Sequence, residues 1–275
     1  MQNSPNEDAE MSFIDHLEEL RWHVFRSLVA VVVITVIVFL MGPVIFDNLI
    51  FGPKHESFLT YQAFCAVSEL FQMGQMMCLK PAVYEIQNIE MAGQFLTHIK
   101  VSLILGFIVS FPYILWEVWK FVRPGLLEHE QKSTKGLVFF ASLLFFIGVS
   151  FGYFILAPFS LNFFAKYQVT PEVQNIISLT SYISVISTVV LAAGIMFELP
   201  MVVFLLSKMG VLTPDMMRLY RKHAFVAILL IAAVITPADV WTMVLVTIPV
   251  YFLYEFSILI SARVYKKYLD GLGGS

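Results

Sequence analysis

Between Ser27 and Phe46 the chain runs for twenty residues without an acidic or basic side chain, and apolar runs of similar length recur at 101–119, 136–156 and 182–207, the first holding Glu117 and the last Glu198. A helix of that length rises about 30 Å, the thickness of the hydrocarbon core of a bilayer. Each run is therefore long enough to cross a membrane as a helix. Two further apolar runs, 224–235 and 240–254, flank the turn-like "TPAD" at 236–239. At about 1.5 Å per residue they reach roughly 18 and 22 Å, so the last two spans are expected to be short. With 59% hydrophobic and only 13% charged residues, a soluble domain is excluded. The predicted fold is an all-α integral membrane protein with six transmembrane helices. An N-terminal segment (1–26) precedes a single membrane domain (27–267), which carries a long loop at 47–100. A net charge of −3 argues against a nucleic-acid surface.

The basic residues set the expected orientation. If the N-terminus is inside, only Lys54, Lys80, Lys100 and Lys166 of the 17 Lys and Arg fall outside. The positive-inside rule then predicts cytoplasmic termini. The acidic opening "MQNSPNEDAE" lacks the basic region of a cleavable signal, so the first span is expected to act as an uncleaved anchor. The closing "GLGGS" reads as an expression remnant within the tail 268–275. Both cysteines, Cys65 and Cys78, fall in the long external loop. In an oxidising compartment they are candidates for a disulfide, and two free thiols are the alternative.

Two stretches carry the functional signal. In "MSFIDHLEELRWHVFRSL" the residues Phe13, Leu17, Leu20 and Val24 recur at helical spacing, and Ser12 with Asp15 resembles a capping box. Such an amphipathic helix leading into the first span can be an interfacial anchor. Asp15, Glu18 and Glu19, however, stand where an anchor on anionic lipid would carry Lys or Arg, and they suggest a basic ligand. The second stretch, "LAAGIMFELPMVVFLLSK", buries Glu198 in an apolar span two residues before Pro200. A carboxylate there costs about 3 kcal/mol on insertion scales and is expected to face protein or water. Pro200 cannot donate to the carbonyl of Met196, so a bend is expected beside it.

Enzymatic chemistry finds little support. "HEQKS" at 129–133 lacks the second His of H-E-x-x-H, no G-x-S-x-G elbow is present, and the six His have no ligand-like spacing. No cofactor or metal is expected. A phosphate-binding G-x-x-x-x-G-K-[ST] loop is absent too, in keeping with an energy source other than nucleotide hydrolysis. A proton-coupled small-solute transporter using Glu198 remains an alternative reading, since a mid-span acid is also what a proton relay shows.

Five motifs taken together resemble the TatC family of the twin-arginine protein translocase. They are "HLEELR" at 16–21, "FVRPGLLEHE" at 121–130, "FELP" at 197–200, "TPADV" at 236–240 and "IPVYFLYE" at 248–255. The resemblance implies a concave, glove-like receptor for twin-arginine signal peptides of folded cargo. It also implies TatA-like and TatB-like single-span partners, self-association in the complex, and export driven by the proton-motive force. Carried over to this chain, it assigns Glu19 and Glu130 to the signal arginines, with Leu20, Arg21, Phe121 and Pro124 shaping the site. Glu198, Thr236 and Asp239 are implied as contacts for a partner helix. Two positions depart from the pattern: His23 stands where relatives often carry a basic residue, and Met243 where they often carry Gln.

Overall fold

The computed structural model describes residues 13–70, 78, 80–123, 136–173, 175–235 and 240–272. Their main helices are α1 (Phe13–Leu40), α2 (Leu59–Leu70), α3 (Gly93–Val122), α4 (Leu137–Lys166), α5 (Leu179–Lys208), α6 (Pro214–Leu219), α7 (Arg221–Ile235) and α8 (Val240–Leu272). The α1, α3, α4, α5 and α8 helices contain apolar stretches long enough to span a bilayer. With the shorter α7 they form an all-α membrane bundle. One end, here the cap end, carries α2 and a two-residue parallel strand pair, β1 (Ile86–Gln87) on β2 (Ile177–Ser178). The opposite, terminal end carries the start of α1 and the finish of α3.

The bundle closes where small residues permit it. A Cβ at Gly148 would lie 2.6 Å from the Ala193 carbonyl oxygen, and one at Gly152 would lie 2.8 Å from the Val190 Cα. Backbone therefore packs on backbone between α4 and α5, as glycine allows between membrane helices. Gly152 also opens a π-helical turn, Gly152–Leu156, inside α4. Nearby, Phe111 of α3 stacks on the fully buried Phe145 of α4 with ring centroids 3.5 Å apart.

The cap is held by hydrogen bonds between segments far apart in sequence. The Tyr61 hydroxyl donates to the Pro53 carbonyl, at 2.8 Å, and accepts from Asn162 Nδ2, at 3.1 Å. Asn162 Oδ1 in turn accepts from the Ala82 amide. The Thr60 hydroxyl donates to the Phe154 carbonyl, and the Tyr182 hydroxyl to that of Ile50. Burial pushes the Tyr61 phenol up to about 12, against the opposing effect of the Asn162 bond, so it remains a donor across the physiological range. Cys65 and Cys78 are joined by a disulfide across a sequence separation of 13. Closing a loop of that size is worth about 3 kcal/mol in the chain-entropy picture.

Two boundaries differ from the sequence expectation. Instead of beginning at 101, α3 starts at Gly93, so the long loop ends eight residues early. The charge that seemed to bar the span, Lys100, donates to Ser184 Oγ of α5 at 2.8 Å. The final helix is not short: α8 has 33 residues. Its apolar run stops at Glu255, but that carboxylate pairs with Arg221 at 2.7 Å and accepts from the Tyr251 hydroxyl at 3.0 Å. A compensated charge gives the helix no reason to end. Only α7 is short, with 15 residues or about 22 Å. Ser207 at the end of α5 bonds to Ser261 of α8. Glu255 lies six residues before Ser261, so the Arg221 pair sits about 9 Å deeper along α8 than the end of α5.

Candidate functional site

Two carboxylate-centred sites stand out, one at each depth of the bundle. At the terminal end α1 and α3 lie side by side, and their facing residues meet through Glu117. This side chain is 1% exposed. Its Oε2 lies 2.5 Å from His23 Nδ1 of α1, and its Oε1 accepts from Lys120 Nζ at 3.2 Å. Lys120 Nζ also sits 3.3 Å from the centroid of the Trp116 ring, a cation–π contact. One turn before His23 on α1, Glu19 places Oε1 3.9 Å from His23 Nε2 while 40% of its side chain stays accessible. The imidazole thus bridges a buried carboxylate and an accessible one.

The rest of the predicted signal-binding set falls around this bridge where it is described. Leu20 and Arg21 are exposed, with the Arg21 guanidinium carbon 5.7 Å from the Trp22 ring centroid. Phe121 is half-buried and approaches the His23 ring edge-on at 6.3 Å. Pro124 and Glu130 lie outside the described residues. Chemically, the Lys120 ammonium is engaged by Glu117 and Trp116, and the His23 ring by Glu117. What faces out is an acidic oxygen pair on a rigid helix. A planar guanidinium matches such a pair with two parallel hydrogen bonds, and an ammonium does not.

The second site is Glu198. The α5 helix is interrupted here: Leu179–Met196 ends, Phe197 and Glu198 form a turn, and Leu199–Lys208 resumes with Pro200 in its first turn. The expected bend is thus a break. The Glu198 carbonyl accepts the Met201 and Val202 amides at 2.9 and 3.1 Å, starting the second half. Its carboxylate atom Oε1 is buried and has no hydrogen-bond partner among the described residues. Ten residues separate it from Lys208, about 15 Å along the helix, which puts it near mid-bilayer. The predicted neighbours Thr236 and Asp239 lie outside the described residues. Met243, at the Gln-bearing position, is half-buried on α8.

In the sequence reading Glu117 falls without a role near the end of the run at 101–119, and His23 figures only as a departure from the motif. The available signal was the same one that singled out Glu198, an acid among apolar neighbours in "ILWEVW". Among the described residues no group of three or more His, Cys, Asp or Glu is placed to hold a metal ion.

Comparison with known proteins gives one consistent answer. A family model for the Sec-independent protein translocase protein (TatC) matches residues 15–249. The TatC of Blattabacterium sp. subsp. Periplaneta americana is 40% identical over 263 residues, covering 95% of this chain and 99% of the relative. That of Aquifex aeolicus is 33% identical over 262 residues, covering 94% and 97%. Two crystal structures of the twin arginine translocase receptor TatC, one in DDM, superpose with TM-scores of 0.66 and 0.71. Each is 32% identical and covers 90% of this chain, and 97% and 99% of the solved chains respectively.

Proposed function

The chain belongs to the TatC family, and from that membership together with the bridged carboxylates we propose that it is the signal-peptide receptor of a twin-arginine translocase. Family membership makes it a non-enzymatic protein-transport subunit of the Tat translocase, a multi-pass protein of the bacterial inner membrane. In the proposed orientation the terminal end and both termini face the cytoplasm.

The observation that carries the receptor reading is the accessible Glu19 carboxylate, placed beside a His23 ring and near a Lys120 ammonium that the buried Glu117 engages. Glu19 and Glu130 accept the two guanidinium groups of the signal, and Leu20, Arg21, Phe121 and Pro124 shape the surface around them. The name of the solved relatives, twin arginine translocase receptor, supports the same assignment. Glu198, Thr236 and Asp239 form the contact for the single span of a TatA-like or TatB-like partner. There the Glu198 oxygen that has no hydrogen-bond partner among the described residues meets a polar group of the partner. The short α7, beginning deeper than α5 ends, thins the bilayer beside the receptor. The proton-motive force drives export, and copies of the chain associate in the complex.

Binding of a twin-arginine signal peptide to the purified protein tests the reading. Glu19→Gln and Glu130→Gln are each expected to weaken binding about tenfold or more, the worth of one charge-assisted pair. A twin-lysine peptide is expected to bind the parent protein comparably weakly. Undiminished binding by both variants, or equal affinity for the two peptides, overturns the assignment.

A further inference from the structure

A cavity of about 730 Å³ opens at the cap end, remote from both carboxylate sites. Its walls come from the segment after α1 (Gly42, Pro43, Phe46, Phe51, Lys54, His55), from Ile86 and Asn88, from the first turns of α3, and from Leu179. The lining is amphipathic by position. Phe46, Phe51 and Phe95 supply aromatic surface, and Phe95 is 59% exposed on the flank of a membrane-spanning helix. Lys54 supplies an ammonium and His55 an imidazole, and no Asp or Glu is among the described lining residues.

Two features of α3 add to the positive character. Its N-cap residue is Ala92, which offers no side-chain acceptor, and its first turn contains no acidic residue. Its first-turn residues Gln94 and Phe95 line the cavity, so the positive end of a 30-residue helix lies at its wall. Deeper in, His98 closes the floor. Its ring stacks on Phe39 at 4.0 Å, and its buried Nε2 has no hydrogen-bond partner among the described residues.

A soluble anion alone would leave the aromatic walls wet, and an apolar chain alone would leave the cations and the helix end uncompensated. We infer that this cavity holds the phosphate head and the adjoining glycerol of an anionic phospholipid from the leaflet at the cap end. The phosphate lies against Lys54, His55 and the start of α3, and the acyl chains leave past Phe95 into the bilayer. The volume falls within the usual range for small-ligand sites of roughly 300–1,000 Å³. A lipid held there would tie the segment after α1 to α3 from outside the protein.

Native mass spectrometry of the intact protein in detergent, titrated with phosphatidylglycerol, tests this. Retention of the lipid is expected, and Lys54→Glu/His55→Glu should weaken it about tenfold or more. Gln94→Glu should weaken it in the same direction. All three side chains are exposed or half-buried, so thermal melts should match the parent. Lys80→Glu, an exposed cation on the same loop but not in the lining, should leave binding unchanged. Neither dioleoylglycerol nor inorganic phosphate at equal concentration should be retained. Full lipid binding by the charge-reversed variants, an equal loss in Lys80→Glu, or equal retention of dioleoylglycerol overturns the inference. Displacement of the lipid by inorganic phosphate overturns it as well, in favour of a free-phosphate site.

Discussion

Glu117 and Glu198 are the same side chain in the same kind of helix, yet the bundle treats them oppositely. Glu117 is 1% exposed and holds a ring nitrogen and an ammonium within 3.2 Å. Glu198 buries an oxygen that receives no hydrogen bond among the described residues. Glu117 stands near the end of α3, where the His23 ring of α1 and the Lys120 ammonium of its own helix can reach it. Glu198 stands at mid-span, beside a break in its helix and some 15 Å from Lys208. Depth therefore separates a carboxylate that helps hold the fold from one with an oxygen left unpartnered among the described residues. Glu255 lies between these extremes, paired with Arg221 but 32% accessible.

Removing the charge at each position should separate the three. Glu117→Leu leaves His23 and Lys120 facing an apolar side chain and should destabilise by about 3–5 kcal/mol in reversible unfolding. The double variant Glu117→Leu/His23→Leu should recover part of that loss. If Glu117→Leu melts like the parent, the bridge is not structural and the contrast collapses. Glu198→Leu should shift stability the other way, a gain of about 1–3 kcal/mol from losing an unsatisfied buried polar atom. The same variant should still bind signal peptides but fail to recruit the single-span partner in co-purification. Destabilisation on the scale of Glu117→Leu would mean that Glu198 already has a partner within the fold. Glu255→Gln should change stability by no more than about 1 kcal/mol, because both members of its pair are partly solvated. A larger loss would show that pairing outweighs accessibility.

The sequence made the spans legible because hydrophobic length is a local property. The runs at 136–156 and 182–207 lie within α4 and α5. The interruption at Glu198 was foreseen from Pro200, whose missing amide acts on its own helix. What escaped was set by partners far along the chain. Lys100 could enter a span because Ser184 receives it, and Glu255 could sit inside α8 because Arg221 meets it. The Glu117–His23 bridge joins residues 94 apart. A charge reads as a boundary in sequence, and a neighbouring helix can turn it into an interior contact. In the candidate site, the motif residues Glu19, Leu20, Arg21 and Phe121 do cluster at one end. The side chains that hold Glu19 in place carried no motif.

The long-range hydrogen bonds of the cap also order events during synthesis. Ile50 receives its bond from Tyr182, 132 residues later, and Tyr61 receives one from Asn162, 101 residues later. At about 5–20 residues per second, the ribosome takes roughly 5 to 26 seconds to supply the second partner. The Tyr61–Pro53 bond and the Cys65–Cys78 bridge span only 8 and 13 residues and can form in the meantime. The segment after α1 thus begins as a self-stapled island, and it is fastened to the rest only after α4 and the beginning of α5 have been made.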